Sequence, residues 1–295
     1  YSGSGELSID TSAGNNFSGG FLFNGIDANA NLATYKLLFN GTANFYLSAA
    51  TAANGTASTH LMRAIGTGSL NSCKVILGGT GFDFGTESAG ANNGLLSVSG
   101  SGVDVTIAEG TTINMYSNST NPTSSFSMYS FGATAVPNFI RNKGSISIKG
   151  SMARSPLGLS AQSLGVVNFV NDGVIDIDVK STIAGNAGIS ITNNQGATGP
   201  ADVNVINNGT MTIKTLLNGA CWGAPIAMTT FSGAPNLHLI NIGTLNLIGS
   251  NYSFGAKVYN AANATTQSGT SRITNSGTIN TNQEFRTFYT ENTST

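Results

Sequence analysis

The sequence predicts an all-β chain wound as a right-handed parallel β-helix, a β-solenoid of roughly eight or nine coils of about 34 residues. Three observations predict it. An Asn-x-Gly step recurs at solenoid spacing, large apolar residues alternate on both sides of each step, and charge is scarce while Gly and small polar residues abound. The 295 residues hold 12 Lys+Arg against 13 Asp+Glu, so only 8% are charged, while 35 are Asn, 34 Ser, 34 Thr and 38 Gly. A folded chain is still required, because 40% of positions are hydrophobic and disorder pairs low hydrophobicity with high net charge. Six prolines and no three-residue glycine period exclude a collagen helix.

The repeat is sharpest from the middle of the chain onward. Its copies are Ile140-Arg-Asn142-Lys-Gly144-Ser-Ile146-Ser-Ile148 and Val167-Asn-Phe169-Val-Asn171-Asp-Gly173-Val-Ile175-Asp-Ile177. The frame returns at Val203 to Ile213 around Asn207 and Gly209, at Leu237 to Leu247 around Asn241 and Gly243, and at Ile273 to Ile279 around Asn275 and Gly277. The five glycines are 29, 36, 34 and 34 residues apart. Period-two alternation buries one face of a strand, so each copy reads as two short strands joined at a bend. Glycine suits a bend because it reaches positive φ without a Cβ penalty.

A third apolar stretch follows each pair: Leu157-Gly-Leu159, Ala187 to Ile191, Pro225 to Met228 and Phe254 to Val258. Three strands per coil complete a parallel β-helix. Earlier in the chain Leu37 to Phe45, Val75 to Gly79 and Val103 to Ile113 carry a looser version, whose glycines at 41, 79 and 110 are expected to continue the column. The chain is read as one β-helix domain, 1–295, with less regular coils over 1–137, regular Asn-x-Gly coils over 138–281 and an end segment over 282–295. If Ile146, Ile175, Met211, Leu245 and Ile279 line one interior, the reading holds. The Asn column, Asn142, Asn171, Asn207, Asn241 and Asn275, has two structural readings: local Asx turns, which we take as the default, or a stacked amide ladder.

These residues resemble the passenger domains of Gram-negative autotransporters and, more broadly, β-helical surface adhesins. The resemblance is sharp from about 138 to 281. It implies export through a C-terminal β-barrel, which is not among these residues. Tyr1 is not an initiator Met and no signal-peptide pattern follows it, which reads as a processed segment of an extracellular, cell-surface protein. No apolar run is long enough for a transmembrane segment.

Chemistry is sparse. Without a Lys/Arg cluster there is no surface to neutralise a row of phosphates, so nucleic acid is excluded as a partner. No P-loop or G-x-G-x-x-G is present, and no cofactor is expected. The densest acidic group is Asp172, Asp176 and Asp178 with Asp202 one coil on; alternation turns Asp176 and Asp178 outward. They are candidate contacts for a carbohydrate or Ca²⁺, against the plainer reading of a solvated face. Polysaccharide cleavage would need two carboxyls facing each other across a sugar, and a pectate-lyase-like site would add Arg141 or Arg154. His60 and His238 are the two histidines, and His238 is expected to point outward; no metal site is predicted. Trp222, between Cys221 and Gly223 in a predicted loop, is the best single contact candidate, since an aromatic ring serves sugars and proteins alike. Cys73 and Cys221 read as buried small hydrophobes.

The leading functional expectation is a non-enzymatic adhesin or stalk that binds a host or neighbouring-cell surface protein or glycan. A self-associating filament or sheath subunit is the second expectation, because each end of a solenoid exposes strand edges. A polysaccharide-degrading enzyme is the third.

Overall fold

The computed structural model describes residues 5–10, 16–17, 21–24, 33–40, 44–45, 60–66, 68, 70, 73–84, 94–118, 128–132, 134–152, 155–181, 187–193, 200–217, 224–230, 235–249, 256–260, 270–282 and 288–292. Every described element is a strand or a turn between strands. The strands form three nine-stranded sheets, and within each sheet every neighbour is the strand three further along the chain. All pairings are parallel. The chain is therefore a parallel β-solenoid in which each lap adds one strand to each sheet. Sheet A runs from Gly5–Asp10 to Thr270–Asn275, sheet B from Asn16–Phe17 to Thr278–Thr281, and sheet C from Phe21–Asn24 to Phe288–Asn292.

The predicted interior column is in register. Ile146 pairs with Ile175, Ile175 with Met211, Met211 with Leu245, and Leu245 with Ile279. The first four are at most 1% exposed, and Ile279 packs partly buried against them. Sheet A supplies Ile140, Phe169, Val205 and Leu239, and sheet C supplies Leu159, Ile191 and Met228, all at most 1% exposed. The third strands fall where the sequence placed them, at Leu157–Ala161, Ile189–Asn193, Ile226–Thr230 and Ala256–Asn260. Three walls of alternating strands thus close on one apolar column, which removes most branched side chains from water at roughly 1.5–3 kcal/mol each.

At the corner between sheets A and B the structure corrects two expectations. The first concerns glycine. Among the described glycines positive φ belongs to Gly68, Gly79, Gly81, Gly100, Gly102, Gly110 and Gly150, and to none of the Asn-x-Gly glycines. Those glycines are needed for closeness instead: a Cβ on Gly173 would collide with the carbonyl oxygen of Gly144, one on Gly209 with that of Gly173, and one on Gly243 with that of Gly209. Nor does the column continue to Gly79 or Gly110, while Gly41 lies outside the described residues. Gly79 lies in sheet A opposite Phe39, and the carbonyl beneath Gly144 is that of Thr111, not Gly110.

The second correction concerns asparagine. The amides form the ladder: the Nδ2 group of Asn142 donates to Asn171 Oδ1 at 2.8 Å, Asn171 to Asn207 at 2.8 Å, Asn207 to Asn241 at 2.7 Å and Asn241 to Asn275 at 2.7 Å. A local turn bond coexists with it, since Gly144 N–H donates to Asn142 Oδ1 at 3.2 Å. The default turn reading was incomplete because the side chains face inward, where the nearest polar partner is the same amide one lap away. Asn142, Asn171, Asn207 and Asn241 are each 0% exposed, and burial of an amide requires such bonds.

Candidate functional site

Because successive residues of a strand face opposite ways, whatever binds the solenoid wall must bind its outward positions. On sheet B these stack into two continuous rows. The first runs Asp83, Asn114, Ser147, Asp176, Thr212, Asn246 and Asn280, one residue per lap. At about 4.8 Å between strands its six steps span roughly 29 Å. Every member can hydrogen-bond, and only the two aspartates carry charge. Neighbours at three of its steps are joined: Asn114 Nδ2 donates to Asp83 Oδ1 at 2.8 Å, Asn246 Nδ2 to Thr212 Oγ1 at 2.9 Å, and Asn280 Nδ2 to Asn246 Oδ1 at 2.8 Å. The adjacent row holds Tyr116, Lys149, Asp178, Lys214 and Ile248.

Asp176 and Asp178 therefore stand side by side on the outer face of sheet B, as alternation required, while Ile175, Ile177 and Val179 between them are buried. Their environments differ. Asp178 lies between two lysines and pairs with Lys214 Nζ at 2.9 Å, both side chains well exposed. Asp176 lies between Ser147 and Thr212. The other members of the acidic group do not join them. Asp172 sits at the corner and accepts from Asn208 Nδ2 at 2.7 Å, and Asp202 opens a strand of sheet A and accepts from Asn236 Nδ2 at 2.8 Å. Three of the four carboxylates are thus each held along their own row.

Sheet A carries comparable rows. Thr270 Oγ1 donates to Asn236 Oδ1 at 3.0 Å, extending the Asp202 row, and Asn204 Nδ2 donates to Asn168 Oδ1 at 3.0 Å. His238 follows Asn204 in that second row and is followed by Arg272. Arg141 lies with its guanidinium carbon 4.4 Å from the centre of the Phe139 ring and its Nε 3.5 Å from Asp104 Oδ1. That aromatic and carboxylate engagement holds Arg141 on sheet A, away from the sheet B carboxylates. Among the described residues no three of His, Cys, Asp and Glu converge as metal ligands, and no helix is long and apolar enough to cross a membrane. Cys73 is buried in the core, and desolvation pushes its thiol up to about 11, against a lowering by the Ile65 backbone. It is protonated at neutral pH and poorly nucleophilic. Trp222, Cys221, Arg154 and the side chain of His60 lie outside the described residues.

Sequence reasoning missed the outer rows themselves. Their signal was available: Thr212, Asn246 and Asn280 occupy the same place, three residues after the repeat glycine. Attention to the apolar positions of each copy passed over the polar ones between them. Compared with known proteins, the chain matches no family model, no curated protein and no solved structure.

Proposed function

We propose that this chain is a non-enzymatic extracellular protein of the cell surface, an adhesin or attachment stalk related to autotransporter passenger domains. The observation that carries the reading is the sheet B row from Asp83 to Asn280, a straight line of amides, hydroxyls and carboxylates on a wall held from below by a dry core. Such a row offers an extended polar ligand, a glycan strand or a peptide edge, one hydrogen-bonding group per lap. Asp176 and its row neighbours would make the contacts, and Trp222 remains a further candidate contact from the sequence. Support for the non-enzymatic part is the separate engagement of Asp172, Asp178 and Asp202, each in a bond along its own row. The extracellular location rests on the resemblance and on the exchange of charge for neutral polar residues.

Recognition by neutral groups depends little on ionic strength, because screening acts on charges. Binding of the purified chain to immobilised cell-surface glycans or to cells is expected to persist from low to high salt. Replacing Thr212, Asn246 and Asn280 together by Ala is expected to abolish it while the β circular dichroism and the melting temperature stay near wild type. Binding that collapses in salt, or survives loss of the row, overturns the proposal.

A further inference from the structure

The outer face of sheet B has a period, and the period selects among extended ligands. Asn114, Ser147, Asp176, Thr212, Asn246 and Asn280 follow one another lap by lap, at about 4.8 Å per step. A second outward row lies two residues earlier on the same strands, in Thr112, Ser145, Val174, Thr210, Thr244 and Thr278. It carries a hydroxyl at every lap but one, where Val174 stands 46% exposed. The two rows are parallel tracks about 6.7 Å apart, and Asp176 is the sole charge on either of them. Among the described residues, side chains bond to their row neighbours from Thr212 upward, at 2.9 and 2.8 Å, but not on either side of Asp176. The middle of the row, Ser147 and Asp176, is therefore left to bond outward.

Polymers differ in how well they keep step with such tracks. An extended peptide shows one side at every second residue, about 6.7 Å, and is out of step with the row from the first lap. A polyproline-type strand repeats a face about every 9.3 Å and meets only alternate laps. Pyranose rings joined through opposite equatorial positions, as in a β-1,4-linked glycan, advance by nearly one lap per ring. Each ring is turned over relative to the last, so both edges of the ribbon carry a hydroxyl or hydroxymethyl group at every ring. Two edges with one such group per ring meet two tracks with one polar group per lap.

An α-1,4-linked chain of the same sugar coils and cannot hold both edges on straight tracks. Charge narrows the class further, because a uronate chain would bring carboxylates against Asp176 in the middle of the row. We propose, on the basis of the attachment reading, that sheet B binds an uncharged β-1,4-linked glycan laid along the solenoid axis, one ring per lap. The hydroxyls of Thr210, Thr212, Ser145 and Ser147 and the carboxylate of Asp176 bond its edges, and Val174 packs beneath a ring.

The test titrates the full chain with cellohexaose and with maltohexaose, which share sugar, length and hydroxyl count and differ in linkage. Cellohexaose is expected to bind at least about tenfold more tightly, since the coiled isomer forfeits two or three hydrogen bonds. Affinity is expected to rise from cellobiose through cellotetraose to cellohexaose, because each ring reaches a further lap. Asn114→Ala and Asn246→Ala lie four laps apart, a distance that a ligand lying along one strand cannot span. Each is expected to weaken cellohexaose binding with β circular dichroism retained. Equal affinity for the two hexaoses, no binding of either, displacement by an extended Ser-Thr peptide at lower concentration than cellohexaose, or an effect of only one substitution overturns the proposal. Cell attachment that is still lost with Thr212, Asn246 and Asn280 would then leave the attachment reading standing without this ligand.

Discussion

One column of sheet A is leucine or isoleucine in the first four laps and asparagine in the last five. Register carries it through Leu7, Leu37, Leu77 and Ile107, then Asn142, Asn171, Asn207, Asn241 and Asn275. The reason lies in the corner that follows. After Ile107 four residues pass before sheet B resumes at Thr112, and they close a turn of their own, Thr111 N–H to the Ala108 carbonyl at 3.2 Å, beside a bond between laps from Ala108 N–H to the Leu77 carbonyl at 2.8 Å. After Asn171 only two residues pass before Val174. So short a corner leaves backbone groups facing inward, and neighbouring laps satisfy them. Asp172 and Gly173 N–H both donate to the Asn142 carbonyl, and Asn142 Nδ2 reaches the Val174 carbonyl at 3.1 Å. A long corner tolerates an apolar neighbour and a short one requires an amide. The same column is therefore stabilised by hydrophobic burial at Leu77 and Ile107 and by hydrogen bonds from Asn142 to Asn275.

The sharpest way to break the comparison is to add one methyl group at each kind of corner. Gly209→Ala pushes a Cβ into the carbonyl of Gly173, which already accepts from Thr210 N–H at 3.0 Å, and is expected to lower stability by about 3 kcal/mol. Gly110→Ala meets open space, and its φ of 80° limits the loss to about 1 kcal/mol. Urea unfolding followed by circular dichroism measures both; equal losses would refute the distinction.

Exchanging the column residues is next in size. Asn207→Leu removes the acceptor of Asn171 and the donor to Asn241 and Thr244, leaving buried amide groups unpaired, and is expected to cost about 2–3 kcal/mol. The reverse exchange, Leu77→Asn, buries an amide in an aliphatic column at about 2 kcal/mol. Ile107→Asn is expected to cost less than Leu77→Asn, because Asn142 lies directly above it. A midpoint for Asn207→Leu equal to wild type would mean that the ladder contributes nothing. The smallest effect belongs to the outer face. Asp178→Asn weakens an exposed pair with Lys214 and should shift stability by no more than about 0.5 kcal/mol, a change that double-mutant analysis with Lys214→Met can isolate.

What was legible in the sequence follows the same division. The interior register of Ile146, Ile175, Met211, Leu245 and Ile279 could be read because an identical two-residue corner repeats and keeps the alternation in phase. In the first laps corner lengths change, and the glycines at 79 and 110 suggested a column that the register does not contain. The role of the repeat glycines was misread for another reason: a bend is a local property of the chain, whereas a carbonyl packed beneath Gly173 belongs to a lap 29 residues earlier. Asp176 and Asp178 were correctly turned outward by parity alone. Parity alone does not set Lys214 beside Asp178, but the repeat frame does, since each stands five residues after its repeat glycine, Gly209 and Gly173.

The two-residue corner also determines where the molecule can change girth. Laps in the regular half are 29, 36, 34 and 34 residues long, yet Asn and the start of sheet B remain two residues apart in all of them. All of the surplus is therefore housed in the other two bends, such as the stretches after Ser181 and Leu217. Foreign peptide cassettes spliced into those bends should leave the spine of amides undisturbed, while a single residue inserted between Asn207 and Thr210 would throw every later wall out of phase.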